Sequence, residues 1–356
     1  MINSKGGQVV YETMLGDILS GKLRPAERIP SRLDLIRRFK TTPVTVQRAF
    51  DRLAEAGFIE SLGRKGTFVV ARPPNRHRIG LVFKGSPSSP EWRQFWTIMR
   101  NVSAELEGED NWHFDSYLEI ENIDSPGRTR LTYDIENHRL AGLMHVSKGT
   151  IAEIPAAQDI PCAAVITSDD ARLEKTLSIL LDTRRFIADA IRYQVSCGCK
   201  KVAMIATPGF RGSLFPILSE VLESYNLPLE RKWIQTGNLN APSESANLAE
   251  LLFSSGPRKR PDALLVLDDN LTPHVCRGLA AVGLLPERDV TIVSHANYPS
   301  PSVSTGVVRL GFDNTVILRS VVSYFQQCRN NGKRMTSFTV VPPIFERDLP
   351  EKTYKN

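Results

Sequence analysis

The side chains with the most distinctive chemistry lie close together at the start of the segment "TTPVTVQRAFDRLAEAG", residues 41–57. Glutamine can bond adenine through two atoms, arginine can bond guanine or a phosphate, and threonine hydroxyls can bond either kind of group. Valine can contact the methyl group of thymine. The side chains concerned are Thr42, Val44, Thr45, Gln47 and Arg48. Their combination predicts contact with base edges in the major groove of DNA.

The same segment has the periodicity of an amphipathic helix. Its inward positions repeat at intervals of three and four residues. They are Val46, Ala49, Phe50, Leu53 and Gly57. Thr42 can cap this helix, Pro43 is tolerated in its first turn, and Gly57 can end it. A recognition helix needs one face in the domain core and a first turn that is free to enter the major groove.

Charge is distributed unevenly along the chain. Residues 1–76 contain 14 Lys and Arg against 7 Asp and Glu, a net charge of +7, whereas the whole chain carries +6. The excess positive charge therefore lies in the first fifth of the chain, which favours a polyanionic partner. The alternative is a solvent-exposed face on which arginines only pair with neighbouring carboxylates. Those pairs would join Arg48 and Arg52 to Asp51 or Glu55.

Two further helices and a hairpin accompany the predicted recognition helix. The helices are expected over residues 8–20 and 31–39, and the strands over residues 58–61 and 67–70. Ser31 can cap the second helix, with Asp34 in its first turn. Arg64 and Lys65 lie at the tip of the hairpin, where they suit contact with phosphates or the minor groove. This order of elements predicts a winged helix-turn-helix.

The segment "RIPSRLDLIRRFKTTPVTVQRAFDRLAEAGFIESLGRKGTFV" resembles the DNA-binding domain of the GntR family of bacterial regulators. The similarity covers about residues 8–70. It implies a sequence-specific DNA-binding transcriptional regulator. It also implies a DNA contact for an arginine at the start of the second helix, which is Arg32 in this sequence. Pro43 stands at a position where the family often has a DNA-contacting arginine.

The sequence changes character after residue 70. "ARPPNRHR", residues 71–78, contains a Pro-Pro pair that favours a stiff, extended segment with no helix across it,. We place a linker at residues 71–77 between a DNA-binding domain, residues 1–70, and a larger domain, residues 78–349. Residues 350–356 are expected to form a C-terminal tail.

Beyond the linker, short apolar strands alternate with amphipathic helices. Strands are expected at residues 78–83, 112–120, 140–146, 161–167, 201–207, 232–236, 262–268 and 290–296, and helices at residues 90–107, 129–138, 183–196, 213–225, 243–254 and 271–282. Alternation of this kind predicts an α/β domain built on parallel sheets. Because it occurs in two successive halves, we expect two lobes with a cleft between them.

Landmarks of the larger domain resemble the effector domain of the LacI/GalR regulators, which is itself similar to periplasmic sugar-binding proteins. They include "RIGLVF", "RPDALLVLDDNLTPHVCRGLAAVGLLPERDVTIVSHAN" and "SVSTGVVRLGFDNTVILRSVVSYF", in the family's order. A GntR-type head on this domain resembles the arabinose-repressor type of hybrid regulator. The resemblance implies a repressor whose affinity for operator DNA is controlled by a small polar, sugar-like effector. Reading two half-sites on one face of a duplex requires two recognition helices, so we expect a homodimer.

Ligand groups in this fold come from loops at the carboxyl ends of the strands. By position, the resemblance implies effector contacts by Trp92, Phe95, Asp182, Arg211, Asp269 and Asn297. Such groups suit paired hydroxyls, and the aromatic rings suit the C–H groups of a sugar. Alternatively, Asp182 and Asp269 cap helices and Trp92 covers the core. His145 and His295 are expected to be structural.

Other classes of function find little support in the sequence. No run of about 18 apolar residues can span a membrane and the N-terminus has no apolar signal segment, so we expect a cytoplasmic protein. The five cysteines lack metal-ligand spacing, and no phosphate-binding or catalytic motif occurs, so no metal, cofactor or enzymatic activity is expected,. The acidic pairs Asp169–Asp170 and Asp268–Asp269 are expected to point apart. Two alternatives remain open: a nucleic-acid-binding module without an effector, and an enzyme with a DNA-binding head.

Overall fold

The chain begins with a small domain of three helices and a hairpin. The computed structural model describes residues 3–110, 112–146, 160–166, 172–208, 214–301 and 304–350. The helices of the first domain are α1 (Asn3–Leu19), α2 (Arg32–Phe39) and α3 (Pro43–Glu55), and its antiparallel hairpin consists of β1 (Ile59–Ser61) and β2 (Thr67–Val69). The predicted winged helix-turn-helix is confirmed, with α1 starting earlier than the sequence pattern indicated.

Side-chain capping sets the limits of α2 and α3. The Ser31 hydroxyl accepts a hydrogen bond from the backbone N–H of Asp34. The Thr42 hydroxyl likewise accepts one from the backbone N–H of Thr45 at 3.3 Å. After α3 the backbone of Gly57 has a φ of 81°, which glycine adopts without a steric penalty,. These caps hold α2 and α3 in the two halves of the helix-turn-helix.

The inward faces of these elements share one apolar core. The face of α3 predicted to be buried is formed by Val46, Ala49, Phe50 and Leu53, each at most 4% exposed. These side chains pack in one cluster with residues of α1 and of the hairpin, including Met14 and Val69. The opposite face of α3 is therefore left to solvent or to a partner.

The linker is not extended as its sequence predicted. Pro74–His77 forms one helical turn, α4, in which Pro73 is the N-cap and Pro74 the first helical residue. Proline fits there because the first N–H groups of a helix have no partner within the helix. Pro73 keeps the extended backbone expected before a proline, with a ψ of 139°,. Both prolines are buried, so the linker is a packed turn.

The larger domain consists of two lobes, each with a six-stranded sheet. Lobe 1 has the strand order β13-β7-β6-β5-β3-β4 and is wholly parallel. Lobe 2 has the order β14-β12-β11-β10-β8-β9, in which only β14 is antiparallel. In lobe 1 the strands are β3 (Arg78–Val82), β4 (His113–Tyr117), β5 (Gly142–His145), β6 (Cys162–Ile166), β7 (Thr176–Leu181) and β13 (Ser337–Val341). In lobe 2 they are β8 (Val202–Ala206), β9 (Ile234–Thr236), β10 (Ala263–Val266), β11 (Thr291–Tyr298), β12 (Val307–Asp313) and β14 (Ile344–Phe345).

Helices cover both sheets, as the alternating pattern predicted. They are α5 (Gln94–Asp110), α6 (Pro126–Glu136), α7 (Thr183–Ser196), α8 (Phe215–Ser224), α9 (Ser245–Phe253), α10 (Thr272–Ala281) and α11 (Asn314–Asn331). The chain crosses between the lobes three times, after β7, after β12 and after β13. Three crossings of this kind allow the lobes to change their relative orientation while each sheet stays intact. None of the described helices is long and apolar enough to cross a lipid bilayer.

Candidate nucleic-acid interface and effector cavity

The exposed start of α3 and the tip of the hairpin carry basic and apolar side chains that are available to a partner. Val44 is 60% exposed, and Arg48, Arg64 and Lys65 are also exposed. Within the described part of the chain, the side chains of these three basic residues have no ion pair or hydrogen bond. The alternative in which Arg48 pairs with a neighbouring carboxylate is therefore not the arrangement found.

The carboxylate of Asp51 is instead bonded by Gln47. The Gln47 side-chain amide donates to Asp51 at 2.6 Å, across one turn of α3. Arg52 points back to α1, where it donates to Gln8 at 2.7 Å and lies 3.9 Å from the centre of the Tyr11 ring. To reach a base, the Gln47 amide must give up its exposed hydrogen bond to Asp51. Arg52 instead joins α3 to α1 and is a structural residue.

The structure corrects the expected role of Thr45. Its side chain is 3% exposed, and its hydroxyl shares a hydrogen bond of 2.9 Å with that of Thr42. Thr45 was predicted to face outward with Val44 and Gln47, but it is buried next to Val46 on the inward side of α3. It can hold Thr42 and the start of the helix in place, but it cannot reach a DNA base without unfolding that turn.

Two arginines flank the recognition helix and the hairpin. Arg32, at the start of α2, is exposed and lies 5.7 Å from the centre of the Phe50 ring. Arg28 was not singled out by the sequence. Its guanidinium packs so closely on Gly66 that a Cβ atom at Gly66 would lie 2.7 Å from the Arg28 Nε atom. Arg28 supports the hairpin tip that presents Arg64 and Lys65.

A second candidate site is a cavity of about 310 Å³ in lobe 2 that Gln94 of lobe 1 also lines. Its polar lining includes Asp269, Ser294, His295, Ser300 and Arg309. A volume in this range suits a small molecule. The lobes are joined beside the cavity, because the Gln94 backbone N–H donates to Asn270 at 3.0 Å. A ligand here would contact both lobes.

Two of the predicted effector residues meet at this cavity. The Asn297 side-chain amide donates to the Asp269 carboxylate at 2.9 Å. Leu271 occupies the N-cap position of α10 without a side-chain bond, so Asp269 is not the cap of that helix. Asn297 is 3% exposed and lies within β11. Its bond orients Asp269, which lines the cavity.

Asp268 lies next to this pair and is affected by it. Both aspartates follow the end of β10, so the alternation of side chains along a strand does not extend to them,. Desolvation of the Asp268 carboxyl group raises its pKa, and the charge of Asp269 raises it further. The Asn270 side chain partly offsets this with a hydrogen bond to Asp268 of 2.7 Å. The prediction for a pair of acids within a strand therefore does not apply to Asp268 and Asp269, and the two carboxylates influence each other.

Three other predicted effector residues do not line this cavity. Asp182 is the N-cap of α7, where its carboxylate accepts from the Arg185 backbone N–H at 3.0 Å, so its capping alternative is the one found. Trp92 packs against Phe83 and donates its indole N–H to Thr97 at 2.8 Å. Neither Trp92 nor Phe95 lines the cavity; both pack on the core. Arg211 lies outside the described residues.

Other residues of the cavity were not foreseen in the sequence. Arg309 is 9% exposed and donates to the Ser300 hydroxyl at 2.5 Å and to the Glu346 carboxylate. The His295 ring lies between Phe186 and Phe312, and its Nδ1 atom is buried with no hydrogen-bond partner among the described residues. His295 was expected to be structural and satisfied. Arg309 lies in β12 and Glu346 in the turn after β14, and nothing local in the sequence indicates that they meet.

Comparison with known proteins separates the two parts of the chain. Residues 7–69 match the family model described as "Bacterial regulatory proteins, gntR family". A curated relative, the vitamin B6 salvage pathway transcriptional repressor PtsJ of Salmonella typhimurium, is 33% identical over 73 residues. That match covers 20% of this chain and 17% of the relative. The N-terminal domain is thus a GntR-type winged helix-turn-helix, and the match leaves most of the relative's length uncovered.

Solved structures of LacI-family regulators share the architecture of the larger part. A regulatory protein from Chloroflexus aggregans has a TM-score of 0.61 at 14% identity, covering 75% of this chain and 96% of its own. A regulator from Arthrobacter sp. FB24, solved in complex with lactose, has a TM-score of 0.60 at 12% identity and covers 78% and 100%. At these identities the comparison establishes the fold, and the predicted two-lobed domain with parallel sheets is confirmed.

Proposed function

We propose that this chain is a transcriptional repressor that binds operator DNA through α3 and the hairpin tip, and that a small polar effector controls this binding. The observation that carries the proposal is the set of exposed side chains at the start of α3 and at the hairpin tip, where Arg48, Arg64 and Lys65 have no ion pair within the described ranges. These residues belong to a segment with a net charge of +7. The GntR-type match and the repressor named among the relatives support this choice over catalysis or RNA binding.

Each contact in the proposed DNA interface has a distinct role. Gln47 and Arg48 are assigned to base edges, and Val44 is assigned to a thymine methyl group. Arg32, Arg64 and Lys65 are assigned to phosphates or the minor groove. A phosphate contact raises affinity for all sequences, whereas a base contact produces sequence preference.

We further propose that the regulator acts as a homodimer. One recognition helix covers only a few base pairs, and operators of this type are read as two half-sites about 34 Å apart on one face of the duplex. Two copies of a two-lobed domain would set that separation. In such a dimer the packed turn α4 would provide control, because a rigid connection can pass a change in lobe orientation to the position of each DNA-binding domain.

The proposed effector is a small polyol or sugar-like molecule bound by Asp269 in the lobe 2 cavity. Asp269 offers an acceptor that Asn297 holds in place, and Ser294, Ser300 and His295 add further polar groups. Such a lining suits hydroxyl groups. The lactose complex of the Arthrobacter regulator supports the choice of ligand class.

DNA binding is tested by fluorescence anisotropy with duplexes taken from upstream of the chain's own gene and its neighbours, against random duplexes of equal length. We expect a preference for one upstream duplex of at least about 10³-fold and a steep loss of affinity as salt increases. Equal affinity for upstream and random DNA would refute the assignment as an operator-binding regulator. Preference for single-stranded RNA would favour a general nucleic-acid-binding module.

A further inference from the structure

A second cavity lies where three parts of the molecule meet. It has a volume of about 650 Å³ and is lined by Leu19 of α1, by Asn75 and Arg76 of the linker turn, and by the end of α11 in lobe 1. We call it the junction cavity. It is separate from the lobe 2 cavity and shares no lining residue with it. Its volume lies within the range of small-molecule sites.

The junction cavity is strongly basic. Within the described part of the chain, its lining includes Arg76, Arg329, Lys333 and Arg334, against one carboxylate, that of Glu136. Among the described residues, none of these four cations has an ion pair. The Arg329 side chain donates one hydrogen bond to the backbone oxygen of Arg76 at 3.0 Å, which brings the two residues together. Four cations around one space repel each other unless an anion occupies it.

Local pKa shifts agree with this excess of positive charge. Burial lowers the pKa of Arg329, and the charge of Arg76 lowers it further. Burial likewise lowers the pKa of His77 in the same turn, and Arg329, Arg72 and Arg76 all add to the effect. Each shift reports a cationic form that the surroundings disfavour. A bound anion would reverse the sign of the local potential.

The linker adds a neutral acceptor to these cations. The side-chain oxygen of Asn75 is buried and has no hydrogen-bond partner among the described residues. A buried acceptor without a partner costs free energy, and a hydroxyl group is the simplest donor that can satisfy it. A ligand that satisfies the whole cavity therefore has an anionic group for the cations and a hydroxyl for Asn75.

We propose that the junction cavity binds a small organic phosphate that also carries hydroxyl groups. Arginine suits this role because its planar donors match phosphate oxygens, and lysine adds a point charge. A concave space walled by three structural units fits a small molecule better than the backbone of a DNA duplex. Since Arg76 belongs to the linker turn and Leu19 to the DNA-binding domain, the ligand would fix that domain against lobe 1.

The test uses calorimetric titration of the full chain with ribose 5-phosphate and, separately, with ribose. We expect ribose 5-phosphate to bind and ribose to bind at least about tenfold more weakly, since the charge-assisted contacts are lost. Replacing the two cations that follow α11, Lys333→Ala with Arg334→Ala, should weaken ribose 5-phosphate binding by about 10- to 100-fold. The charge-preserving exchange, Lys333→Arg with Arg334→Lys, should keep most of the binding.

Two controls locate the site. Arg258→Ala with Lys259→Ala removes the same charge from lobe 2, and Asp269→Ala alters the lobe 2 cavity; neither should change ribose 5-phosphate binding. The proposal is overturned if ribose 5-phosphate does not bind, if the double alanine variant binds it normally, or if Asp269→Ala abolishes it instead. It is also overturned if the double alanine variant loses only DNA affinity, because the cations would then contact DNA phosphates.

Discussion

Gln47 illustrates how a single side chain can serve both the free and the DNA-bound protein. In the free protein its amide donates to Asp51 at 2.6 Å on the exposed side of α3. An exposed hydrogen bond of this kind contributes little, because water replaces it readily. The same amide can therefore turn to an adenine at small cost. Arg48 needs no exchange at all, since its side chain has no partner in the described part of the chain.

Gln47→Ala should relax sequence preference, and Lys65→Ala should weaken all sequences alike. The first substitution removes a base contact that contributes about 1–3 kcal/mol of discrimination between bases. The second removes a phosphate contact, which should reduce the slope of log affinity against log salt concentration by about 1. Anisotropy titrations with the best duplex and its single-base variants measure both effects. Asp51→Ala is the matched control and should raise affinity, since it frees Gln47 and removes a negative charge. Equal loss of preference in the two alanine variants would contradict this division of roles.

Asp182 and Asp269 have different roles in the structure, so their substitutions should differ. Asp182→Ala should lower the free energy of unfolding by about 1 kcal/mol through loss of the α7 cap, with effector binding unchanged. Asp182→Asn should restore the stability, since asparagine also caps. Asp269→Ala should abolish effector binding and leave DNA affinity without effector intact. Urea unfolding measures the stability of each variant, and calorimetry measures its effector binding. Loss of effector binding in Asp182→Asn would show that Asp182 contacts the effector after all.

The buried carboxyl group of Asp268 makes the free energy of unfolding of the protein depend on pH,. Because its pKa is raised above the usual 3.8, the folded protein holds this proton more tightly than the unfolded chain does,. Its contribution is therefore greatest at low pH and is lost as pH rises through the raised pKa. Asp268→Asn should raise the free energy of unfolding at pH 7, because it removes a charge that burial and Asp269 both disfavour,. Urea unfolding should show this gain shrinking towards about pH 4; a gain independent of pH would exclude ionisation as its cause.

At the scale of elements, the backbone of Gly57 is what allows α3 to end where it does. Its φ of 81° is strained for any residue with a Cβ atom, whereas Gly16, within α1, has open space around it. Gly57→Ala should lower the free energy of unfolding by about 1 kcal/mol, and Gly16→Ala should raise it by a similar amount. Thermal unfolding of the two variants provides the comparison. A stabilising Gly57→Ala would mean that another conformation ends α3.

The elements themselves could be predicted where one local signal dominates. α7 has the predicted bounds, residues 183–196, because Asp182 caps it and its apolar period is regular. The linker was predicted wrongly because the Pro-Pro pair is compatible both with an extended chain and with a helical first turn. The helical turn is the conformation found, with both prolines buried. Their burial depends on residues far away in sequence, which a local pattern does not include.

The residues of the two candidate sites also differ in how far the sequence predicted them. Helical periodicity predicted which residues of α3 face outward. The prediction was wrong for Thr45, which lies at the boundary between the two faces and is buried. Asp269 and Asn297 were identified by position within a resemblance, and their contact required β10 and β11 to be adjacent in lobe 2. Arg309 and Glu346 meet across 37 residues of sequence, and no spacing rule indicates such a pair.

The whole molecule joins a DNA-binding domain to a two-lobed domain through few but specific contacts. Tyr11 of α1 donates to Asn137 of lobe 1 at 3.4 Å, and Arg52 of the recognition helix stacks on that same tyrosine. The linker turn is held by Arg329 at 3.0 Å. A change in lobe orientation can reach α3 through these contacts. Coupling of this kind is typically about 1–3 kcal/mol.

The most direct test of the account is a DNA titration of the wild-type chain and of Asp269→Ala, each with and without a saturating effector. The effector is first identified by a thermal-shift screen of sugars and related polyols. We predict that it changes the wild-type affinity for the preferred duplex by about 5- to 150-fold, and that Asp269→Ala binds this duplex equally well with and without it. An effector that saturates the wild-type protein yet leaves its DNA affinity unchanged would contradict the proposed coupling between the two domains.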